Sequence, residues 1–288
     1  MTVREGEIFG FLGPNGAGKT TTLRLILGLL RPESGVVEYR GNPDFTRKRL
    51  WKSRVGFCPQ ELVVWDHLTC REQLVFLGRM YHLSGSQARE RSRVLLRKLG
   101  LTRHGNRRAG ILSGGLKRRL NIALALVHDP KILILDEPQA GLDPQSRVMV
   151  REYLQSLSGV KTIIMTTHEI NEVDQLADRI GIIDQGKLIV TGSADELKEG
   201  IGRGDMLHIR MDETGSSLTR LERHMRARNI PARVYQGEIR ILHRELVIIL
   251  PRVLELIRSC GGRVRDITIR KKTLEDVFIR HTGRGLRD

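Results

Sequence analysis

A chain of 288 residues is too long for one small core and fits a large α/β domain with a smaller second one. Its 40% hydrophobic and 28% charged residues are ordinary for a folded globular protein, and no apolar run approaches the roughly 18 residues that span a bilayer. The net charge of +16 invites nucleic acid, but basic residues run through both halves and aromatics are only 4%, so nucleic acid is disfavoured and anionic lipid headgroups fit at least as well.

The start, Met1-Thr2-Val3-Arg4-Glu5-Gly6-Glu7, lacks the apolar core of a secretory signal, which predicts a cytoplasmic chain. Cys58, Cys70 and Cys260 form no CxxC pair, so neither a disulfide framework nor a zinc site is expected. Residues 7–12 read as a buried strand, and residues 19–30 as a helix ended by Arg31-Pro32. Between them stands Gly13-Pro14-Asn15-Gly16-Ala17-Gly18-Lys19-Thr20. Glycines there let backbone N–H groups turn into a concavity, and the helix start adds its positive end. Lys19 is then placed to reach the β- and γ-phosphates of a nucleoside triphosphate and the Thr20 hydroxyl to ligate Mg²⁺, with Thr21 beside them.

Residues 36–40 and 54–58 read as strands, the second stopped by Pro59 and followed by Gln60. A helical subdomain over about 61–116 comes next: Thr69 and Glu72 form a capping box, and Ser86 is expected to open a second helix. Ser113, Gly114 and Gly115 precede a third helix over 114–128, a second start suited to anions. Strands over 131–135, 161–166 and 179–184 alternate with helices over 144–157 and 169–177, a doubly wound parallel sheet. The first of these strands ends in Asp136 and Glu137, fitting a water-bridged Mg²⁺ ligand and a base that polarises attacking water. After the glycine-rich connector 199–204 the order βαββαβ predicts a small ferredoxin-like α+β domain.

The series P-loop, Gln60, Leu112-Ser113-Gly114-Gly115-Leu116, Asp136-Glu137, Ala140-Gly141-Leu142-Asp143 and His168 resembles the ATP-binding subunit of an ABC transporter across residues 1–200. The tail Lys272-Thr273-Leu274-Glu275-Asp276-Val277-Phe278 narrows the likeness to daunorubicin-resistance exporters. The resemblance implies an ABC ATPase domain over 1–200 and an accessory domain over 201–288, with ATP and Mg²⁺ as ligands. It also implies head-to-tail dimers, of like or unlike subunits, in which Ser113 and Gly115 of one copy meet the γ-phosphate held by Lys19 of the other. Asp143 would sit at that seam, His168 would reach the γ-phosphate, and Gln60 would touch Mg²⁺ or the attacking water and sense the membrane partner. That partner is a separate multi-span permease whose coupling helix rests beside the helical lobe, which places the chain on the inner face of the cell membrane. Relatives carry an opening strand and an adenine-stacking aromatic ahead of the P-loop, whereas twelve residues precede Gly13 here, so the N-terminal strand region is expected to be missing and a sheet edge exposed. Leu116 replaces the usual signature glutamine and Gln139 the usual threonine. The competing readings are an ABC-type ATPase acting on nucleic acid or ribosomes, and a nucleotide-binding regulatory module without turnover.

Overall fold

Apolar runs too short for helices become strands covered on both faces. The computed structural model describes residues 1–43, 49–202, 204–212, 216–228, 230–235 and 237–283, which form two units, Met1–Ala194 and Asp195–Asp288. The first holds β1 (Ile8–Leu12), β2 (Val55–Cys58), β3 (Ile132–Asp136), β4 (Thr162–Thr167), β5 (Arg179–Asp184) and β6 (Lys187–Gly192). They lie in the order β2-β3-β4-β1-β5-β6, parallel except for the antiparallel pair β5 and β6. Alternation sorts their side chains between two cores. Phe9, Phe11, Ile132, Ile134 and Ile164 share one with Leu23 of α1 (Lys19–Ile26) and Trp51 of α2 (Arg49–Arg54). Ile8, Leu133, Leu135, Ile163 and Met165 share the other with α3 (Cys70–Met80), α4 (Gly85–Lys98), α5 (Gly114–Leu126) and α6 (Pro144–Gln155). A short α7 (Ile170–Leu176) follows β4. Because the strands run parallel, β1, β3 and β4 end side by side, and their three following loops meet.

Several local expectations shift. The first helix stops at Ile26 because Gly28 takes φ 71° and the N–H groups of Leu29 and Leu30 turn back to the Arg24 carbonyl. No strand forms over 36–40. Tyr39 forms an isolated bridge with Asn42, and without a neighbouring strand among the described residues a strand has nowhere to place its backbone hydrogen bonds. The Thr69–Glu72 capping box forms, while α4 is capped by Ser84 with Gln87 rather than opened by Ser86. β6 was not foreseen, although Gln185 and Gly186, both with positive φ, make the tight turn that returns the chain antiparallel. An unforeseen α8 (Ala194–Gly200) occupies the start of the glycine-rich connector.

The second unit contains β7 (Asp205–Met211), α9 (Ser216–Ala227), β8 (Ala232–Tyr235), β9 (Glu238–His243), α10 (Leu246–Ser259), β10 (Val264–Arg270) and α11 (Leu274–Thr282). Its sheet is antiparallel throughout in the order β10-β7-β9-β8, the ferredoxin-like arrangement. Leu207, Ile209, Ile239 and Ile241 on one face share a core with Leu221 and Met225 of α9 and Val253 and Ile257 of α10.

Close approach of α5 to β2 rests on one glycine. A Cβ on Gly56 would stand 2.0 Å from the Ala125 carbonyl oxygen. Gly56→Ala should therefore lower unfolding stability by at least about 2 kcal/mol in a urea titration. An unchanged midpoint would contradict this packing.

Candidate active site

β1 delivers the chain into the P-loop, whose shape requires its glycines. A Cβ on Gly13 would meet the Ile183 carbonyl oxygen at 2.3 Å, while Gly16 and Gly18 take φ 78° and 100°. Pro14 and Asn15 form the outward bend, closed by the Ala17 N–H donating to the Pro14 carbonyl. Gly18 caps α1 without any side-chain hydrogen bond, and no acidic residue stands in the first turn, unlike α3, α4 and α6, which side chains cap. The positive end of α1 is thus left for an anion. Lys19, only 6% exposed, donates to the Gly13 carbonyl (2.7 Å) and the Pro14 carbonyl (3.0 Å) and lies 3.5 Å from Glu137. Burial lowers its pKa, and Glu137 opposes that shift. Thr21, next along the helix, is exposed.

At the end of β3 the two adjacent acids point to different partners. Asp136 accepts from the Thr20 hydroxyl (2.8 Å) and the Thr166 hydroxyl (2.5 Å). Glu137 has φ 51°, a left-handed conformation that costs a non-glycine residue on the order of 1–3 kcal/mol and is fixed here by its surroundings. Its N–H donates to the Thr166 carbonyl and hydroxyl, and its carboxylate meets Lys19 on one side and His168 Nδ1 at 2.8 Å on the other. Lys19, Thr20, Asp136, Glu137 and His168 therefore converge at the carboxyl ends of β1, β3 and β4.

Gln60 reaches this cluster only through its backbone. Its side chain is exposed, while its carbonyl is held by Arg118, a residue that motif reasoning missed. Arg118 is 2% exposed and has five N–H donors, each with a carbonyl acceptor: Pro59, Gln60, Asp136, Glu137 and Pro138. Three residues on, Asn121 donates to the Pro59 and Glu61 carbonyls and accepts from the Val63 N–H. The sequence signal was weak: Arg118 and Asn121 stand at i, i+3, but Arg118 is flanked by Lys117 and Arg119. Gln139, 3% exposed, has its Nε2 unpartnered among the described residues.

Ser113, Gly114, Gly115 and Asp143 form a second group, joined to the Lys19 cluster by no hydrogen bond or ion pair among the described residues. Ser113 caps α5 by accepting from the Leu116 N–H, and Asp143 caps α6 through Ser146. Those Ser146 hydrogen bonds hold the Asp143 carboxyl below its usual range. Leu116, in the place of the expected glutamine, packs against the helical core. A Cβ on Gly114 would meet nothing within 4 Å, and one on Gly115 only Leu142 and Asp143 at 3.6–3.7 Å. Neither has a positive φ, so nothing among the described residues requires glycine at these positions.

Residues 1–140 match the ABC transporter family. The linearmycin resistance ATP-binding protein of Bacillus subtilis (strain 168) is 35% identical over 293 residues, covering 100% of this chain and 93% of that protein. The chain belongs to the ABC transporter ATP-binding subunits. A daunorubicin resistance ATP-binding protein of Streptomyces coeruleorubidus is 37% identical, covering 98% of this chain and 88% of its own, and Nod factor export ATP-binding protein I of Burkholderia lata is 38% identical, covering 100% and 92%. Among solved structures, an ATP-binding subunit of an ABC transporter aligns with a TM-score of 0.64 at 28% identity over 70% of this chain and 85% of that one. An ATP-binding cassette in a dimeric post-hydrolysis state with ADP and Pi aligns with a TM-score of 0.61 at 27% identity over 67% and 88%. This ABC subunit is thus an ATP-binding ATPase, and no helix among its described residues is long and apolar enough to cross a membrane.

Behind His168 lies Glu172, 7% exposed, whose carboxyl is pushed up to about 7, mainly by burial, then by Glu169 and Glu137, against a hydrogen bond with Thr167. The folded state therefore holds this proton more tightly than the unfolded chain does, so the stability it contributes is full below pH 4.5 and is lost as pH rises through about 7. Glu172→Gln should leave stability near pH 4.5 little changed and raise it at pH 8 by on the order of 1–3 kcal/mol in urea titrations. A pH profile parallel to that of the wild type would contradict the assignment.

Proposed function

We propose that this chain is the engine of an exporter, hydrolysing ATP between two subunits and driving a separate multi-span permease from the inner face of the membrane. Residues 1–200 serve as the nucleotide-binding domain, with a helical subdomain over about 61–116, and residues 201–288 as an accessory domain. The observation that carries the reading is the meeting of Lys19, Glu137 and His168 beside the uncapped start of α1. There the N–H groups around Gly13–Gly18 would grip the phosphates, which compete with the Gly13 and Pro14 carbonyls and with Glu137 for the Lys19 ammonium. Glu137 orients and deprotonates the attacking water, and His168 fixes that carboxylate and reaches toward the γ-phosphate.

Thr20 and Asp136, 2.8 Å apart, offer only oxygen, the donor set that suits Mg²⁺, with the Gln60 amide as a further oxygen donor from its loop. When bound, the cation would neutralise charge on the β- and γ-phosphates. Dimerisation is supported by the second group of residues. Glycines at 114 and 115 that their own chain does not need suit an approach by something outside it, here the γ-phosphate held by the partner subunit, with Ser113 and Asp143 at the same seam. Beside the Gln60 loop the surface exposes Val63, Trp65, Phe76 and Met80, with the rings of Trp65 and Phe76 5.8 Å apart edge to face. An apolar patch of this kind suits the permease's coupling helix. Export as the direction draws on relatives named for linearmycin resistance, daunorubicin resistance and Nod factor export.

Glu137→Gln tests the central role. Phosphate release should fall by about 10²- to 10⁴-fold, and the variant should elute as a dimer with Mg·ATP. Undiminished phosphate release would reject the assignment of Glu137.

A further inference from the structure

Residues 91–128 carry ten Lys and Arg and not one Asp or Glu. Half of those cations are engaged: Arg91 and Arg93 pair with Asp129 and Glu90, Lys117 pairs with Asp66, and Arg118 and Arg119 donate to main-chain carbonyls. The other half, Arg97, Lys98, Arg103, Arg107 and Arg108, are exposed, as is Arg71, and none of these six makes an ion pair among the described residues. We propose that the six form a docking surface for the anionic headgroups of a lipid bilayer. Such a contact rests on the membrane placement proposed above and gives the chain a hold on the bilayer that does not pass through the permease.

The fold gathers them at one end of the helical subdomain. α3 and α4 pack together across a short turn, which brings the start of α3 and the end of α4 to the same end of the pair. α4 closes with the Leu101 N–H on the Leu96 carbonyl and leads at once into a tight turn over Thr102–His104. The following residues are bonded back to the start of α3: the Arg71 N–H donates to the Gly105 carbonyl at 2.9 Å and the Cys70 N–H to the Arg107 carbonyl at 3.2 Å. The His104 ring registers the crowding, its pKa lowered mainly by burial and then by Arg107, Arg119 and Arg103. The carboxylates close by are occupied. Glu72, which feels Arg108, accepts from the Thr69 N–H in the capping box, Asp66 is held by Lys117, and Glu90 by Arg93.

Charge of one sign held together repels itself, and an extended anionic partner relieves that repulsion. A bilayer surface does so without asking the long side chains for fixed positions, and each Lys or Arg brought near it strengthens binding about fivefold. Beside the cations stands Ile111, 74% exposed, its N–H on the Arg108 carbonyl. An aliphatic side chain among arginines suits the boundary between headgroups and acyl chains. Nucleic acid fits less well. No Phe, Trp or Tyr occurs between Tyr81 and Tyr153, so this surface offers bases nothing to stack on.

Vesicle flotation of the full chain over a lipid titration tests this, with phosphatidylcholine alone and with about 30% phosphatidylglycerol. Binding to the anionic vesicles should be at least about tenfold tighter at about 0.1 M NaCl and mostly lost at about 0.5 M. The double variant Arg107→Gln/Arg108→Gln should weaken it by about tenfold or more and keep its ATP affinity. Arg252→Gln/Arg258→Gln, on the exposed face of α10, removes the same charge from the second unit and should stay within about threefold of wild type. Should the first variant fail to fold, Arg97→Gln/Lys98→Gln at the exposed end of α4 takes its place with the same expected loss. Absent binding, equal binding to neutral vesicles, equal losses in the variants of the two units, or lost ATP affinity in the Arg107/Arg108 variant would each overturn the proposal. So would tighter binding of a DNA duplex that depends on the same arginines. The vesicles hold no permease, so a negative result strikes the lipid surface and leaves the exporter reading standing.

Discussion

A single buried guanidinium holds the two loops on which the candidate active site is built. Arg118 leaves none of its five N–H groups unpaired, and all five acceptors are main-chain carbonyls, two from the loop after β2 and three from the end of β3 and the turn beyond it. A charge taken out of water is tolerated only when it is fully hydrogen-bonded, and these carbonyls need donors because they lie where the strands have stopped pairing. The requirement is mutual: the arginine satisfies the loops and the loops satisfy the arginine. It follows that the backbone of Gln60 and the backbone of Glu137 are set by the same side chain, on the helix that Ser113 caps. A shift of α5 would be felt by both loops together.

The remaining geometry depends on that frame. Glu137 is held at a positive φ by bonds on both sides of its peptide: its N–H to Thr166, its carbonyl to Arg118. Its carboxylate can then stand between the Lys19 ammonium at the start of α1 and the His168 ring just after β4. Lys19 in turn folds back over the loop that precedes it, beside a helix start with no capping side chain. Strain at 137, an unusually buried lysine and an open helix end are separate departures from ordinary stability rules, and all three fall at one place.

Much of this was legible in the residues. The P-loop, the paired acids and the βαββαβ order of the second unit each combine a spacing with a backbone requirement, and such combinations survive folding. β8 and β9 begin and end where alternation and Gly237 put them. What escaped depends on a partner distant in sequence or on exposure that erases the periodic signal. Residues 36–40 have strand-like residues and no strand beside them among the described residues. β6 is mostly exposed, so it carries little periodic signal, and only its Gln185-Gly186 turn announces it. Arg118 lies in a run of basic residues that reads as a solvated helix face, and only the fold reveals that it points inward to carbonyls from residues 59 to 138. The exposed glycines at 114 and 115 teach the converse: their motif was easy to see, and the structure adds that their own chain makes no use of the missing side chains.

On the role proposed for Glu137, Arg118 positions the hydrolytic residues rather than gripping nucleotide. Arg118→Lys keeps the charge but cannot reach five carbonyls, so steady-state ATPase and fluorescent-nucleotide binding on the same folded sample separate the two roles. Affinity should stay within about threefold of wild type and kcat fall by about 10- to 100-fold. A folded variant with full kcat, or one whose loss lies wholly in nucleotide affinity, would contradict it.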